Sequence, residues 1–265
     1  MLNAISIGSS SSGNSYLIRS EHTNILLDLG LAARRIKEAV LDSGIGIEDI
    51  DGICITHEHI DHVRSIRAIS GWAQGAEVFA SWGTVNECEN FSYVPDERLH
   101  LVSAQQCFEI GDVSVRTFSL SHDAAEPIGY SFSSGGDTLT VITDTGYISD
   151  EIFEEMASAN KLILEGNHEV RMLEVGPYPY ILKRRILGEH GHLSNEAAGD
   201  ALSRVLELRR DDETATRVML AHLSTTNNTP DNAEITVADI LRVNGFKAGE
   251  DYSICIAAKC GATPL

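Results

Sequence analysis

The sequence predicts a single α/β domain over residues 1–265, and two features of the chain support that class. Short apolar runs typical of buried strands alternate with segments whose apolar residues recur at helical spacing. At 265 residues the chain is long enough for one large core, and it contains no evident linker, low-complexity tract or short-period repeat. Polar residues of metal-binding types follow several apolar runs directly, so the strand ends are the expected place of the functional groups.

The first third of the chain predicts four strands and two helices. The strands are apolar runs bounded by turn residues, and a polar turn, Ser9–Asn14, separates the first two. Gly44 and Gly46 end the first helix, and the second starts directly after His62. In chain order the elements are strands at 4–8, 16–18 and 24–28, a helix at 31–41, a strand at 53–56 and a helix at 63–73.

The remainder of the chain continues this alternation. Ser149 and Ser194 are the expected N-caps of two helices, and Pro230 takes the first position of the last helix. In chain order the elements are a strand at 77–80, a helix at 84–91, strands at 106–110, 113–120, 129–133 and 138–143, a helix at 150–159, a strand at 161–164, a helix after Ser194, a strand at 218–221, a helix at 230–244 and a strand at 252–257.

Composition limits the function and the location. The formal net charge of −19 argues against general nucleic-acid affinity, because a phosphate-backbone binder usually shows a basic face. A metal site rich in carboxylates would account for part of that charge. The five cysteines lack a C-x-x-C pair and are expected to be reduced thiols of a cytoplasmic protein. The chain shows neither a long apolar run nor a signal-peptide pattern, so we expect no contact with a membrane.

The most informative stretch is the His-Glu-His-Ile-Asp-His run at 57–62, directly after an apolar strand. Imidazole and carboxylate are ligands preferred by zinc, manganese and iron. His57 and His59 are two apart, so in an extended backbone they face the same way. Asp61 and His62 are adjacent and, if the chain turns into a helix there, can point to a second centre. One loop thus offers ligands for two divalent cations.

Three further candidate ligands lie just past predicted strand ends. His122 and His222 each follow an apolar strand, and a trihistidine site needs one more imidazole from another strand end. Asp144 ends a buried run; turn aspartates are common, but a carboxylate can also bridge two cations that share a nucleophilic water. The chain thus offers His57, His59 and His122 for one metal, Asp61, His62 and His222 for another, and Asp144 as a bridge.

Several polar segments are candidates for substrate contact, each with an ordinary alternative. The Ser9–Asn14 turn suits phosphate binding or is only a hairpin loop. The loop Glu165–Glu169 is either a capped turn or a loop that supports the metal ligands from behind and contacts substrate. The segment 176–185 combines tyrosines with three consecutive cations, which suits base stacking and phosphate contact or a solvated helix face. The substrate candidates are Ser11, Asn14, Asn167, Tyr180, Lys183, Arg184 and Asn195.

The H-x-H-x-D-H run after an apolar strand resembles the signature of the metallo-β-lactamase superfamily, and the seven candidate ligands fill its pattern in the usual order. Other stretches resemble the bacterial YycJ/WalJ family, a compact relative of RNase Z, over nearly the whole chain. These stretches are Gly8–Asn14, Ser121–Pro127, Thr143–Tyr147, Leu164–His168, Gly176–Arg185, Gly191–Asn195, His222–Ser224 and Asn227-Asn228.

The resemblance implies a four-layer αββα sandwich with two divalent cations, zinc, manganese or iron, at one edge. It implies a nuclease of the DNA exonuclease kind that uses a metal-bridging hydroxide. His192 occupies the place of a histidine of RNase Z, which implies that it contacts the scissile phosphate or assists the leaving oxygen. Asp61 and His192 are therefore the catalytic candidates. The chain has Glu169 where the family is expected to have aspartate, a change that keeps a carboxylate.

Three functions are compatible with these features. The first is a metal-dependent phosphodiesterase acting on DNA or RNA, with DNA the favoured substrate. The second is a hydrolase of small substrates, either a cyclic phosphodiester, as in the similar PhnP family, or a thioester, as in glyoxalase II. The third is a non-catalytic binding protein that kept the fold. The complete ligand set argues against the third function, and the Tyr/Lys/Arg segment favours the first over the second.

Overall fold

The computed structural model describes residues 1–210, 212 and 214–265. Strands and helices alternate along these residues, joined by loops and turns. The strands are β1 (Asn3–Gly8), β2 (Ser15–Arg19), β3 (Asn24–Leu27), β4 (Gly52–Cys54), β5 (Glu77–Ala80), β6 (Leu99–Leu101), β7 (Cys107–Ile110), β8 (Val113–Ser119), β9 (Ile128–Ser134), β10 (Asp137–Ile142), β11 (Lys161–Glu165), β12 (Thr216–Ala221), β13 (Tyr252–Ile256) and β14 (Thr263–Pro264). The helices are α1 (Ala33–Asp42), α2 (Ile60–Val63), α3 (Ile66–Trp72), α4 (Trp82–Glu87), α5 (Asp150–Ser158), α6 (Val170–Val175), α7 (Tyr180–Ile186), α8 (Asn195–Leu208) and α9 (Pro230–Val243).

Within this described part, the strands form two mixed sheets of similar design. The first sheet has the order β14-β1-β2-β3-β4-β5-β6 and the second the order β13-β12-β11-β10-β9-β8-β7. In the first sheet the strands pair antiparallel as far as β3 and parallel from β3 to β6. In the second they pair antiparallel from β7 to β10 and parallel from β10 to β13. In each sheet, the parallel strands have their carboxyl ends at the same edge.

Three apolar clusters define four layers. The central cluster joins both sheets, with Tyr16 and Ile25 from the first and Tyr130 and Met219 from the second. A second cluster packs α5, α8 and α9 on the outer face of the second sheet, and a third packs α1 and α3 on the first sheet. This is the αββα sandwich that the resemblance implies, and it covers the parallel strands on both faces.

Most predicted elements are confirmed within a few residues, including the caps. Ser149 and Ser194 accept hydrogen bonds from the backbone N–H groups of Ile152 and Ala197, at 3.2 and 3.1 Å. Pro230 is the first residue of α9, after the N-cap Thr229. Each of the five cysteines is free. No helix in the described ranges is long and apolar enough to cross a membrane.

Two helix predictions are wrong in their boundaries. The helix expected over 63–73 begins earlier, since α2 starts at Ile60 and is separated from α3 by a break near Arg64. Asp61 and His62 therefore lie inside a helical turn instead of before it. The helix expected over 84–91 ends at Glu87, and a 3₁₀ segment, Glu89–Tyr93, follows it. The sequence prediction also missed β6, β14 and α6, which are short.

Candidate metal centre

The loop after β4 turns the candidate ligands toward the edge where the sheets meet. His59 precedes α2, and the backbone N–H of His62 donates to the His59 carbonyl at 2.8 Å, which closes the first helical turn. On the other side, the Tyr130 hydroxyl of β9 donates to the Ile55 carbonyl at 2.9 Å. The loop is thus fixed by its own helix and by the second sheet.

The first group of candidate ligands consists of His57, His59 and His122, each of which offers a ring nitrogen within 4.8 Å of the others. His59 Nδ1 lies 3.3 Å from His122 Nε2. The other nitrogen of each buried ring is held: His57 Nδ1 by the Thr56 hydroxyl at 3.0 Å, and His122 Nδ1 by the Gly191 carbonyl at 3.0 Å. The free nitrogens therefore face one another.

The second group consists of Asp61, His62 and His222. Asp61 Oδ2 lies 3.6 Å from His62 Nε2 and 3.5 Å from His222 Nε2. Because Asp61 and His62 project from α2 while His222 follows β12, the group joins the two sheets at their common edge.

Asp144 lies between the two groups. Its Oδ2 is 3.2 Å from His62 Nε2, while its Oδ1 is 3.3 Å from His222 Nε2 and 3.8 Å from His122 Nε2. Asp144 follows β10, is 1 % exposed and has a φ of +61°, a conformation that aspartate tolerates better than most residues. All seven predicted ligands therefore converge, with Asp144 in the central position.

The buried polar atoms at this site fit divalent cations. His57 Nε2, His222 Nε2 and Asp144 Oδ2 are buried without a hydrogen-bond partner in the described part of the chain. Unpartnered buried polar atoms are costly and uncommon. Three of them directed into one His/Asp cluster are accounted for by metal ligation, since zinc, manganese and iron take these donors.

Protonation differs between the two groups. Burial opposes a charge on His222, but Asp144, Asp61 and Glu165 outweigh it and raise the pKa of His222 to about 10. Burial also opposes a charge on His62, yet Asp28 and Asp144 raise its pKa well above the usual value. By contrast, burial and the neighbouring His62 lower the pKa of His57. A cation in the second group would displace protons, so its affinity should rise with pH.

Asp28 is a positioning residue that the sequence prediction missed. It is fully buried, follows β3 and has a φ of +57°. Its Oδ2 lies 2.8 Å from His62 Nδ1, and its Oδ1 accepts the backbone N–H of Thr56 at 2.9 Å. The carboxylate thereby sets the orientation of the His62 ring, as acids behind metal-binding histidines commonly do. The only signal in the sequence is an aspartate at the end of an apolar run.

Glu165, at the end of β11, has the same task in the second sheet. Its Oε1 lies 2.9 Å from both His192 Nδ1 and His222 Nδ1, and its Oε2 accepts the Leu193 N–H at 3.1 Å. Burial would raise the pKa of Glu165, but His192 and His222 lower it to about 2. The carboxylate is therefore ionised and orients two imidazoles at once. Sequence analysis placed this residue in a loop that either caps a turn or supports the metal ligands and substrate, and did not name its partners.

Three of the predicted substrate-contact residues have buried side chains that make hydrogen bonds within the protein. Asn14 donates to the Ser10 carbonyl at 3.1 Å, and Asn167 donates to the His222 carbonyl at 3.0 Å. Asn195 is fully buried and pairs with Asn228 at 3.0 Å. These amides hold the loops behind the candidate ligands, because an amide can satisfy backbone donors and acceptors together.

The other substrate candidates lie at the surface. Tyr180 and Arg184 are exposed on α7, whereas the Lys183 ammonium donates to the Glu174 carbonyl at 2.7 Å. The neighbouring Arg185 was not predicted; it pairs with Asp123, whose other oxygen lies 3.4 Å from His122 Nε2. The helix α7 therefore reaches the first group through Arg185.

The Ser9–Asn14 turn borders the second group. The backbone N–H of exposed Ser11 donates to the Leu223 carbonyl at 3.3 Å, so the turn lies against the loop after His222. A cleft of about 270 Å³ opens there, with Ser10, Ser224 and Lys259 in its lining. The candidate centre thus has polar surface on this side as well as on the side of α7.

Comparison with known proteins agrees with this architecture. The family model of a β-lactamase superfamily domain matches residues 23–223. The chain is 35% identical to the exodeoxyribonuclease YycJ of Bacillus anthracis, over 94% of this chain and 92% of that protein. It is 32% identical to the exodeoxyribonuclease WalJ of Streptococcus pneumoniae, over 98% of this chain and 95% of that protein. The structure of the Bacillus subtilis metallo-β-lactamase fold protein YhfI covers 100% of this chain and 99% of its own, with a TM-score of 0.72 and 16% identity.

The fold, the His/Asp groups and these relatives define a metal-dependent hydrolase. Within that class, the chain belongs to the metallo-β-lactamase superfamily and is of the YycJ/WalJ type.

Proposed function

We propose that this protein is a nuclease that hydrolyses DNA from an end with the help of two divalent cations. The exodeoxyribonuclease activity named for two relatives supports the substrate and the mode of attack. The observation that carries the proposal is the position of Asp144 between two groups of ligands, with Oδ2 3.2 Å from His62 Nε2 of the second group and Oδ1 3.8 Å from His122 Nε2 of the first.

The distances between the ligand atoms divide the residues into two sets, one for each cation. His57, His59 and His122 would hold one, Asp61, His62 and His222 the other, and Asp144 would bridge them. Two cations held there would supply the means to activate water for attack and to offset the charge that develops on the phosphate. Asp61 is partly exposed, so it also faces the substrate side.

His192 is the candidate for protonating the leaving oxygen. Glu165 holds its Nδ1 at 2.9 Å, which leaves Nε2 free, and the side chain is 18 % exposed. As the ester P–O bond breaks, the leaving oxygen would take a proton from Nε2, and the ionised Glu165 would stabilise the imidazolium before the transfer. His192 thus combines access to substrate with a fixed ring orientation.

Surface residues on two sides of the centre would bind the substrate. On α7, exposed Tyr180 can stack on a base and Arg184 can bind a phosphate, with Lys183 in a supporting position. On the other side, Ser11 and the cleft that includes Lys259 offer donors for a second phosphate.

The test is cleavage of end-labelled single- and double-stranded DNA and RNA, with Mn²⁺ and Zn²⁺ supplied separately. We expect DNA cleavage that Asp61→Ala abolishes and that His192→Ala reduces by roughly 10²–10⁴-fold while its metal content is retained, since general acid catalysis contributes that much. Arg242→Ala, on the outer helix α9, is the control and should cleave normally.

Release of labelled mononucleotides from one end would support the exonuclease assignment. Turnover of a small aryl phosphodiester without cleavage of any polynucleotide, by protein that holds two metals, would contradict the proposal and favour a small-molecule phosphodiesterase.

A further inference from the structure

A shallow groove on the outer face of the first sheet's helices has a composition unusual for this chain. It has a volume of about 500 Å³, and Arg64, Arg67, Trp72 and Asn90 lie in its lining, which contains no carboxylate among the described residues. We call it the α2–α3 groove. The protein as a whole carries 39 acidic against 20 basic residues, so a surface that presents cations alone is an exception.

Arg64 and Arg67 line this groove and Lys37 lies beside it, over the Trp72 ring, and these cations are available to a ligand. In the described part of the chain, Lys37, Arg64 and Arg67 make no ion pair, whereas Arg34 on the same helix as Lys37 is paired with Glu38 at 2.7 Å. Unpaired arginine and lysine at the surface of an acidic protein bind a polyanion without first breaking a salt bridge. Their number also predicts a salt-dependent affinity.

Two aromatic rings stand beside these cations: Trp72 lines the groove, and Tyr93 lies next to it against Arg67. The Arg67 guanidinium lies 3.9 Å from the centre of the Tyr93 ring, and the Lys37 ammonium lies 5.0 Å from that of Trp72. Trp72 is 41% exposed and Tyr93 50%. Exposed rings interleaved with cations are the arrangement that binds single-stranded nucleic acid, because bases stack on the rings while cations bind the phosphates.

The groove begins at the end of the helix that carries two of the candidate ligands. Arg64 ends α2, the helix that carries Asp61 and His62, and the line from Arg64 through Arg67 and Gly71 follows one face of the helical segment. From Arg64 to Trp72 that segment rises about 12 Å. A strand whose phosphate lies at Asp61 therefore meets Arg64 first and the rings next.

We propose that the α2–α3 groove binds the single-stranded part of a DNA substrate, with Arg64 and Arg67 on phosphates and Trp72 and Tyr93 stacked on bases. The proposal rests on the proposed function for its biological substrate, but it concerns binding and not cleavage. It adds a second contact surface to α7, on the side of α2.

A second groove, at Trp82, serves as the control for the α2–α3 groove. Trp82 is 63% exposed, but its groove is lined by Val85, Asp96 and Leu101 and has no cation among the described residues. The chain has two tryptophans, so Trp82→Phe leaves Trp72 as the single reporter and Trp72→Phe leaves Trp82.

The first experiment titrates each single-tryptophan variant, metal-loaded, with oligothymidylate whose phosphorothioate linkages resist cleavage. Stacking should quench the fluorescence of Trp72 in the Trp82→Phe protein and leave that of Trp82 unchanged in the Trp72→Phe protein. Absence of Trp72 quenching, or equal quenching of both tryptophans, would overturn the proposal.

The second experiment measures affinity for the same oligonucleotide by fluorescence anisotropy. Arg64→Glu/Arg67→Glu should weaken binding at least about tenfold and reduce the salt slope by about 1.4, since each phosphate contact on a single strand contributes about 0.7. The control, Arg204→Glu/Arg242→Glu, changes the charge equally on α8 and α9, where Arg204 also lies over a ring, that of Phe153 at 4.3 Å. Folding of both variants is checked by urea denaturation.

An equal loss in both double variants, or competition by polyglutamate as strong as by DNA, would overturn a DNA-specific groove. The outcome is separate from that of the proposed function. DNA cleavage without Trp72 quenching would refute the groove alone, and quenching without DNA cleavage would refute the nuclease alone.

Discussion

The two sheets contribute their functional side chains in different ways. The first supplies four candidate ligands from one loop, His57–His62, which follows a single strand. The second supplies them one at a time, as His122, Asp144 and His222, each after a different strand. The first set therefore depends on one backbone position, whereas the second depends on interactions that hold separate strand ends together.

The buried carboxylates show the same difference. Asp28 in the first sheet contacts one candidate ligand, His62, at 2.8 Å. Glu165 in the second contacts two histidines, His192 and His222, each at 2.9 Å. In the loop of the first sheet, one acid orients the last histidine, His62. In the second sheet, where the histidines come from separate segments, one acid orients two of them.

The largest loss of stability and metal binding is expected at Gly30, where the backbone packs against the turn that carries Asp61. A Cβ at Gly30 would lie 1.5 Å from the Asp61 carbonyl oxygen, so Gly30→Ala must displace the turn that carries Asp61 and His62. We expect loss of metal from the second group and a fall in the free energy of unfolding of about 3 kcal/mol or more. Metal analysis and urea denaturation measure both.

Two glycines serve as comparisons for Gly30→Ala. Gly146→Ala in the second sheet would approach the Glu189 carbonyl oxygen to 2.2 Å, but Glu189 is exposed and can move, so its effect should be smaller. Gly71→Ala in α3 meets nothing within 4 Å and should keep its metals. A Gly30→Ala protein with full metal content and normal stability would show that the first loop is not held as rigidly as described.

The next largest effect is the loss of kcat/KM on replacing Asp28 or Glu165, the two acids behind the histidines. Removal of an acid behind a metal-binding histidine commonly costs 10–100-fold in metal affinity or activity. Asp28→Asn should cost about tenfold and Glu165→Gln about a hundredfold in kcat/KM, because Glu165 orients two imidazoles. The control Glu155→Gln alters a buried acid that bonds Ser131 at 2.8 Å, away from the centre, and should leave kcat/KM unchanged. Equal losses for Asp28→Asn and Glu165→Gln would remove the distinction between the sheets.

The same difference explains how much the sequence could predict. The His57–His62 run was recognisable because ligand types stand at consecutive positions, and the apolar periodicity placed the strands that carry His122, Asp144 and His222. Asp28 was missed, and the role of Glu165 was left open between a capped turn and a loop behind the ligands, because an acid after an apolar strand resembles any turn or cap residue. Only the packing of separate strand ends shows which histidine each acid contacts.

The buried asparagines Asn14, Asn167 and Asn195 show a related physical limit of sequence-based prediction. An amide in a polar loop has the same composition whether it faces a substrate or satisfies buried backbone groups. Asn195 pairs with Asn228, which lies 33 positions further along the chain, so no local pattern reveals its partner. By contrast, the caps Ser149 and Ser194 were predictable, because the groups that they satisfy are three residues away.

The smallest effect compares two caps. In the second half, the Ser149 hydroxyl accepts one N–H, that of Ile152 at 3.2 Å, so Ser149→Ala should cost about 1 kcal/mol of unfolding free energy. In the first half, Ser81 accepts the Thr84 N–H at 3.2 Å and also donates to the Glu126 carbonyl at 2.7 Å, before β9 of the second sheet. Ser81→Ala should cost about 2 kcal/mol, because it also leaves the partly buried Glu126 carbonyl without this partner. Urea denaturation of the two variants measures both losses of unfolding free energy. If Ser81→Ala costs no more than Ser149→Ala, the bond to Glu126 contributes nothing to joining the halves, and their association rests on the apolar core and the strand-end site.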